Sequence, residues 1–114
     1  MFSKLRSIGI FGIDSYMIEI EADVSTGLPS FDIVGLPDTA VKESRDRVRA
    51  AIKNCGYKFP VSRITVNLAP ADRKKEGSIY DLPVLFAILK ASEQVKVDLS
   101  DTVMIGEVAL DGML

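Results

Sequence analysis

The densest cluster of cations in the sequence is Arg73-Lys74-Lys75. Lysine and arginine neutralise phosphates without reading base sequence, so these residues are candidates for contact with DNA or with an acidic surface of a partner. Glu76 follows at once, and no aromatic residue interleaves for base stacking. The alternative is a solvated loop, in which all three side chains face water.

Two further groups of charged residues are weaker candidates. Cations mixed with acidic neighbours occur in a predicted helix, at Arg45, Arg49 and Lys53. Carboxylates at alternate positions of a predicted strand could suggest a cation site, at Glu19, Glu21 and Asp23. Alternate residues on one face of a strand ordinarily just face water, so this second pattern favours solvation over metal binding.

The sequence excludes several kinds of catalytic site. It has no histidine and one cysteine, Cys55, so ordinary zinc sites and Ser-His or Cys-His pairs are absent. Ser78 could be a nucleophile activated by a neighbouring lysine, or a polar loop residue that leads into a helix. Lysine in a solvated loop stays protonated and cannot act as a base, which favours the loop interpretation. Glu107 is better explained as a brace for a hairpin than as an acid.

No GxxxxGK[ST] sequence occurs, so the chain itself is not expected to bind ATP through a P-loop. With 114 residues, 47% hydrophobic residues and a formal charge of −2, the composition predicts one globular domain and names no partner. The N-terminus has neither a cleavable signal peptide nor about 20 consecutive apolar residues. We therefore expect a cytoplasmic location and no membrane association.

Three stretches near the N-terminus predict an antiparallel meander. Residues 16–24 alternate apolar and polar side chains, which is typical of a half-buried strand. Residues 5–10 before it and residues 30–34 after it predict two more strands. Gly12 and Gly27 mark the bends between them.

A first amphipathic helix begins near Asp38, the predicted N-cap, and stops at Gly56. Its predicted inward face recurs at three- and four-residue steps: Val41, Ser44, Val48, Ala51, Ile52 and Cys55. Cys55 is expected to be a small buried apolar residue.

Residues 63–68 alternate again and predict a strand, followed by a polar loop over residues 71–78. A second helix over residues 82–89 has Asp81 as its plausible cap and Pro83 in its first turn. Because this helix is apolar nearly all round, it should be buried on most sides.

Residues 102–110 predict a last strand, and Leu110-Asp111-Gly112 is typical of a two-residue hairpin turn. The partner strand of that hairpin does not follow. We therefore expect the chain to be a piece of a longer protein, because a sheet would otherwise keep an unpaired edge.

Three long sequence words, at residues 35–52, 64–77 and 80–84, closely resemble the N-terminal domain of ComM/YifB Mg-chelatase-like AAA+ ATPases. The resemblance covers essentially the whole chain. It implies an α+β fold of the ribosomal S5 domain 2-like kind, with a mainly antiparallel sheet and two helices, truncated at the C-terminal hairpin. Residues 1–114 would then be an incomplete N-terminal domain, with an ATPase module downstream.

The resemblance also implies a function for the whole protein. It implies a homo-oligomeric ring that acts as a DNA helicase in branch migration during competence or recombination. ATP and Mg would bind in the downstream module, and no cofactor would bind in this fragment. The fragment itself would be non-catalytic, and its possible DNA or partner contact would be Arg73, Lys74 and Lys75.

Two alternatives remain open. The implied fold is similar to the Lon protease domain, whose serine and lysine would match Ile79 and a position after Leu114 in this sequence. That match argues against a Lon-like peptidase. The other alternative is a subunit of a metal-inserting chelatase, for which the residues present supply no metal cluster. A downstream Walker A motif, a Ser/Lys dyad or a porphyrin-pathway partner would distinguish the three.

Overall fold

A computed structural model describes residues 1–11 and 13–114, and the bend predicted at Gly12 lies outside these residues. The strands are β1 (Phe2–Phe11), β2 (Asp14–Ser25), β3 (Ser30–Val34) and β4 (Arg63–Ala69), and the helices are α1 (Thr39–Asn54) and α2 (Asp81–Ala91). The predicted α+β class, with a mainly antiparallel sheet and two helices, is confirmed. Among the described helices, none is long and apolar enough to cross a membrane.

The strand order in the sheet is β1-β2-β4-β3. β2 is antiparallel to both β1 and β4, whereas β3 is parallel to β4. The predicted meander is therefore wrong for β3, which does not pair with β2. Alternation identifies the buried face of a strand but not its neighbour. Parallel neighbours need a long crossover connection, and α1 supplies it between β3 and β4.

The core lies between the sheet and the two helices. The interior strand β4 places three fully buried side chains in it, Ile64, Val66 and Leu68, as its alternation predicts. Two of their register partners on β2, Ile20 and Ala22, are also fully buried. Burying such a side chain contributes about 1.5–3 kcal/mol, so this face of the sheet holds the two layers together.

The limits predicted for α1 are confirmed. The Asp38 carboxylate accepts a hydrogen bond from the Val41 N–H at 2.8 Å, so Asp38 is the N-cap. Gly56 follows the helix in a left-handed conformation, with φ of +89°. The burial predicted for Cys55 is wrong, because its side chain is exposed. Cys55 is the C-cap residue of α1, one position past the end of the helix at Asn54.

Helix α2 is buried on most sides, as its composition predicts: eight of its 11 residues are buried, and Pro83 lies in its first turn. The role predicted for Asp81 is wrong. Tyr80 is the N-cap, without a capping bond from its side chain, and Asp81 is the first helical residue. The Asp81 carboxylate instead forms a buried ion pair, which is described below.

The strand predicted over residues 102–110 does not form. Its only pairing with a described strand is one bridge between Val103 and Arg6 of β1. Further on, the Gly106 carbonyl accepts from the Leu82 N–H at 3.0 Å, and the Val108 N–H donates to Asp81 at 3.1 Å. The segment therefore leaves β1 because its backbone groups serve the start of α2.

The tight turn predicted at Leu110-Asp111-Gly112 is present. The Ala109 N–H donates to the Met113 carbonyl at 2.8 Å, and Gly112 has a φ of +90°. The turn follows an irregular segment, so it is not the end of a regular β-hairpin.

Candidate functional site

The loop over residues 70–80 connects β4 to α2 and contains the cation cluster. Arg73 and Lys74 are exposed, whereas the Lys75 side chain is 0% exposed. The expectation that Lys75 lies in a solvated loop is therefore wrong. Consecutive cations in this loop occupy opposite environments.

Two backbone carbonyls hold the Lys75 ammonium. Its Nζ donates to the Gly35 carbonyl at 2.8 Å and to the Pro70 carbonyl. These carbonyls lie where β3 and β4 end, and they give the buried ammonium the hydrogen-bond partners without which burying a charge is costly. Burial lowers the pKa of Lys75, because desolvation disfavours the charged ammonium, while the charge of Asp72 opposes this effect.

The backbone of Lys75 fixes the loop against the turn before α1. The Lys75 N–H donates to the Leu36 carbonyl at 3.0 Å, and the Asp38 N–H donates to the Lys75 carbonyl at 3.0 Å. Gly35 lies in the same turn, where an added Cβ would lie 2.3 Å from the Leu68 oxygen. Only glycine fits this close approach of the turn to β4.

The Asp38 carboxylate serves both the helix and the loop. One oxygen caps α1 and the other accepts from the Gly77 N–H at 3.2 Å. The cap predicted from sequence therefore also fixes the C-terminal part of the loop. Lys75 and Asp38 together hold residues 75–77 to the turn, and the exposed cations precede this anchored part.

Tyr16 supports the exposed cations from the β1–β2 hairpin. The Arg73 guanidinium carbon lies 4.6 Å from the centroid of the Tyr16 ring, and the Tyr16 hydroxyl donates to the Lys74 carbonyl at 3.0 Å. Tyr16 pairs across the strands with Gly9, where an added Cβ would lie 2.4 Å from the ring. The missing side chain of Gly9 thus makes room for the ring.

An open cavity of about 940 Å³ lies beside this contact. We call it the hairpin–loop surface, and it is lined by Ile10, Asp14, Ser15, Tyr16, Asp72, Arg73, Lys74 and Glu76. Three carboxylates therefore accompany the two cations. Sequence reasoning missed Tyr16 because it lies far from the cations along the chain; a hairpin register pairing it with Gly9 was the available signal.

Ser78 and Glu107 form a hydrogen bond across the other side of the loop. The Ser78 hydroxyl donates to Glu107 Oε2 at 2.7 Å. This contact agrees with the interpretation of Glu107 as a brace, because it ties the loop to the segment that contacts α2. Ile79, the residue that matches the Lon serine, is partly buried and packs against the core.

A buried ion pair that sequence reasoning did not single out joins the two helices. Arg47 Nε and Nη2 donate to the Asp81 carboxylate at 2.6 and 3.0 Å. Asp81 is 0% exposed, and it also accepts from the Val108 N–H. The hydrogen bond to Asp81 raises the pKa of Arg47, so the guanidinium stays charged. Arg47 and Asp81 thus organise the start of α2.

The candidate carboxylates on β2 do not form a shared site. The three strand carboxylates have separate partners: Glu19 pairs with Lys4 at 3.3 Å, Glu21 accepts from Asn67 at 2.8 Å, and Asp23 lies 3.9 Å from the N-terminal amine. Within residues 1–11 and 13–114, no group of three or more His, Cys, Asp or Glu side chains could hold a metal ion.

The chain matches known proteins over most of its length. The family model described as subunit ChlI of Mg-chelatase matches residues 20–114. YifB of Escherichia coli strain K12 is 52% identical over 113 residues, which are 98% of this chain and 22% of that protein. Competence protein ComM of Haemophilus influenzae is 47% identical over 104 residues, 90% of this chain and 20% of that protein. The chain thus spans about a fifth of the length of these relatives.

Proposed function

Because this chain belongs to the family of subunit ChlI of Mg-chelatase, we propose that it is a non-catalytic accessory domain of an AAA+ ATPase. The whole protein then forms a homo-oligomeric ring, and ATP and Mg bind in a module downstream of this chain. Its role is to organise subunits or to guide DNA. The similarity to competence protein ComM supports a role in competence, and we propose helicase or branch-migration activity of the ring as that role.

The main support for a non-catalytic role is that the Lys75 ammonium is held by hydrogen bonds within the fold. Its ammonium donates to two backbone carbonyls, and its side chain is buried. A lysine that activates a serine must reach that serine with a free amine. Ser78 instead donates to Glu107, so neither member of a Ser78/Lys75 pair is available for catalysis and both side chains hold the loop in place.

The residues described do not fit an ATP or Mg²⁺ site. The sequence has no GxxxxGK[ST] loop, and the described carboxylates form no cluster for a metal ion. Calorimetry tests the assignment: the 114-residue chain shows no saturable ATP binding, whereas the full-length protein binds ATP. Micromolar ATP binding by the chain alone would overturn it.

Arg73 and Lys74 are the proposed DNA contact. Both are exposed, and the stack on Tyr16 limits the freedom of Arg73 before it meets a phosphate. The buried Lys75 ammonium does not take part, which changes the contact predicted from sequence. Carboxylates on the same surface weaken the field, so useful affinity needs several copies acting together in the ring.

A metal-inserting chelatase subunit is the second candidate, favoured by the description of the matching family. The two functions differ in what stimulates the ATPase of the full-length protein. Branched or single-stranded DNA stimulates a helicase, whereas a porphyrin together with partner subunits stimulates a chelatase. Stimulation by DNA and none by porphyrin supports the proposed function; the reverse result contradicts it.

A further inference from the structure

The outer edge of β3 has backbone groups that the sheet does not use. β3 is an edge strand, and β4 is its only neighbour in the described sheet. The Ser30 N–H donates to the Ser62 carbonyl at 3.2 Å, so Ser30 and every second residue after it face β4. In a parallel ladder the backbone groups of the intervening residues then point away from β4. The N–H and C=O groups of Phe31 and Ile33 therefore lie along the open edge.

A stripe of cations on α1 borders this edge. Lys42, Arg45, Arg49 and Lys53 follow one another at steps of three, four and four residues, which places them on one side of the helix. The ion pairs of the described residues include none of them. Arg45 Nη1 donates to the Phe31 carbonyl at 3.4 Å, so the stripe reaches the outward backbone of β3.

We call the outward backbone groups of Phe31 and Ile33, together with the α1 stripe, the β3 edge surface. A cavity of about 460 Å³ lies on it, and Lys42, Arg45 and Arg63 contribute three cations to its lining. Asp32 is the one acidic residue there. The surface therefore combines backbone donors and acceptors that no neighbouring strand uses with an excess of positive charge.

We propose that the β3 edge surface binds an acidic, extended peptide segment, which adds to the sheet as a strand beside β3. An added strand lies about 4.8 Å from β3 and alternates its side chains between the two faces of the sheet. The side chains on the helix side meet the α1 stripe. The partner segment thus carries Asp or Glu at alternate positions.

A peptide fits this edge better than a nucleic acid does. A peptide strand supplies both donors and acceptors, whereas a phosphate only accepts and is repelled by the outward carbonyl of Ile33. The aromatic rings nearby are also occupied. Phe31 and Phe59 have centroids 5.5 Å apart, and the Arg49 guanidinium carbon lies 6.0 and 5.2 Å from them. Neither ring is free as a stacking platform for bases.

Arg45 protects the edge until a peptide displaces it. Its hydrogen bond to Phe31 is long, at 3.4 Å, and its Nε also donates to the Lys42 carbonyl at 3.2 Å. Charged side chains at an edge discourage unwanted strand pairing. A peptide N–H takes over the Phe31 carbonyl, and the guanidinium then pairs with a carboxylate of the peptide. The edge thereby selects acidic segments over other extended chains.

The test uses the 114-residue chain and a synthetic peptide with glutamate alternating with valine. Two N-methylated versions are matched probes, one methylated at the residues that face β3 and the other at the intervening residues. Losing about two strand hydrogen bonds weakens binding about tenfold in the first version. The second version keeps the affinity of the parent peptide. Equal affinity of the two versions contradicts strand addition, because purely electrostatic attraction does not distinguish them.

Protein variants test the charge requirement. Lys42→Gln with Arg49→Gln removes two stripe cations and weakens the parent peptide about tenfold. Lys90→Gln with Lys96→Gln changes the net charge equally on and beyond α2, and leaves the affinity unchanged. A lysine-valine peptide does not bind. Equal loss in both double variants, or tighter binding of oligothymidine than of the acidic peptide, overturns the proposal.

Discussion

Arg73 and Lys74 differ from Lys75 in their surroundings, although all three are cations in one loop. The first two face solvent beside Tyr16, whereas the third is buried between the ends of β3 and β4. Arg73 and Lys74 expose their charges to solvent, whereas the Lys75 ammonium donates hydrogen bonds to backbone carbonyls. A cluster of cations in a sequence is therefore not evidence that its members share a surface or a role.

The anchored part of the loop belongs to a larger set of buried charges. Asp81 and Arg47 fix the start of α2, as Lys75 fixes the loop that precedes it. Removing one partner of a buried pair leaves an uncompensated charge, whereas removing a solvated charge changes little. Substitutions of the buried charges are therefore expected to change stability more than substitutions of the exposed ones.

The largest effect is expected from Arg47→Ala. It leaves the fully buried Asp81 carboxylate with only the Val108 N–H as partner, and should lower the free energy of unfolding by about 3 kcal/mol. Urea denaturation of the 114-residue chain measures the change. Lys42→Ala, an exposed cation on the same helix, is the control and should stay within about 0.5 kcal/mol. Equal losses in both variants would contradict the structural role of the pair.

Lys75→Met separates the two parts of the loop directly. Methionine keeps much of the buried stem but leaves the Gly35 and Pro70 carbonyls without the ammonium, at a cost of about 1–3 kcal/mol in unfolding free energy. Lys74→Met, one residue earlier and exposed, should cost less than about 0.5 kcal/mol. Similar costs in a urea titration would show that Lys75 is solvated after all.

The stability difference between the wild type and Lys75→Met is expected to increase with pH. Burial lowers the pKa of Lys75 below its ordinary 10.5, so the unfolded chain binds this proton more tightly than the folded one. The wild type should therefore gain stability relative to Lys75→Met as the pH rises from the lowered pKa towards 10.5. Burial also raises the pKa of Tyr80 to about 12, which lowers stability between about pH 10 and 12, but equally in both proteins.

Urea midpoints of both proteins, measured from pH 7 to about pH 10, isolate the Lys75 contribution because the Tyr80 effect cancels. A difference that stays constant, or that narrows as the pH rises, would contradict a buried Lys75 with a lowered pKa.

Local patterns predicted the helices and most of the strands, because capping and alternation are short-range properties. Asp38 has the cap role assigned to it, and the β3 limits match the structure. The position of β3 beside β4 was not predictable, since pairing depends on the crossover through α1 and not on the pattern of β3. Lys75 and Asp81 were misassigned for the same reason. Their partners, Gly35 and Arg47, are distant in sequence and mark no local motif.

The salt dependence of DNA affinity distinguishes the exposed cations, Arg73 and Lys74, from the buried Lys75. If Arg73 and Lys74 contact phosphates, then Arg73→Gln with Lys74→Gln in the full-length protein should reduce the slope of log single-strand affinity against log salt by about 1.4 units for each loop in contact. Lys75→Met removes a cation of the same cluster and should leave the slope unchanged, because that cation is buried. Single-strand binding across a salt series, with the oligomeric state compared for each variant, measures both. A reduced slope in Lys75→Met would place that residue among the contacts.

The smallest effect on affinity is expected at Tyr16, which contacts Arg73 and Lys74 but carries no charge itself. Tyr16→Phe loses the hydrogen bond to Lys74 but keeps the ring over Gly9 and beneath Arg73, so DNA affinity should fall about twofold or less. Tyr16→Leu also loses the cation–π contact and should lower the affinity a few-fold further. The salt slope should stay constant in both variants, because the number of phosphate contacts is unchanged. Tyr57→Phe, at an exposed tyrosine outside the hairpin–loop surface, is the control. A changed slope, or equal affinities of the Phe and Leu variants, would show that the ring does not act by orienting Arg73.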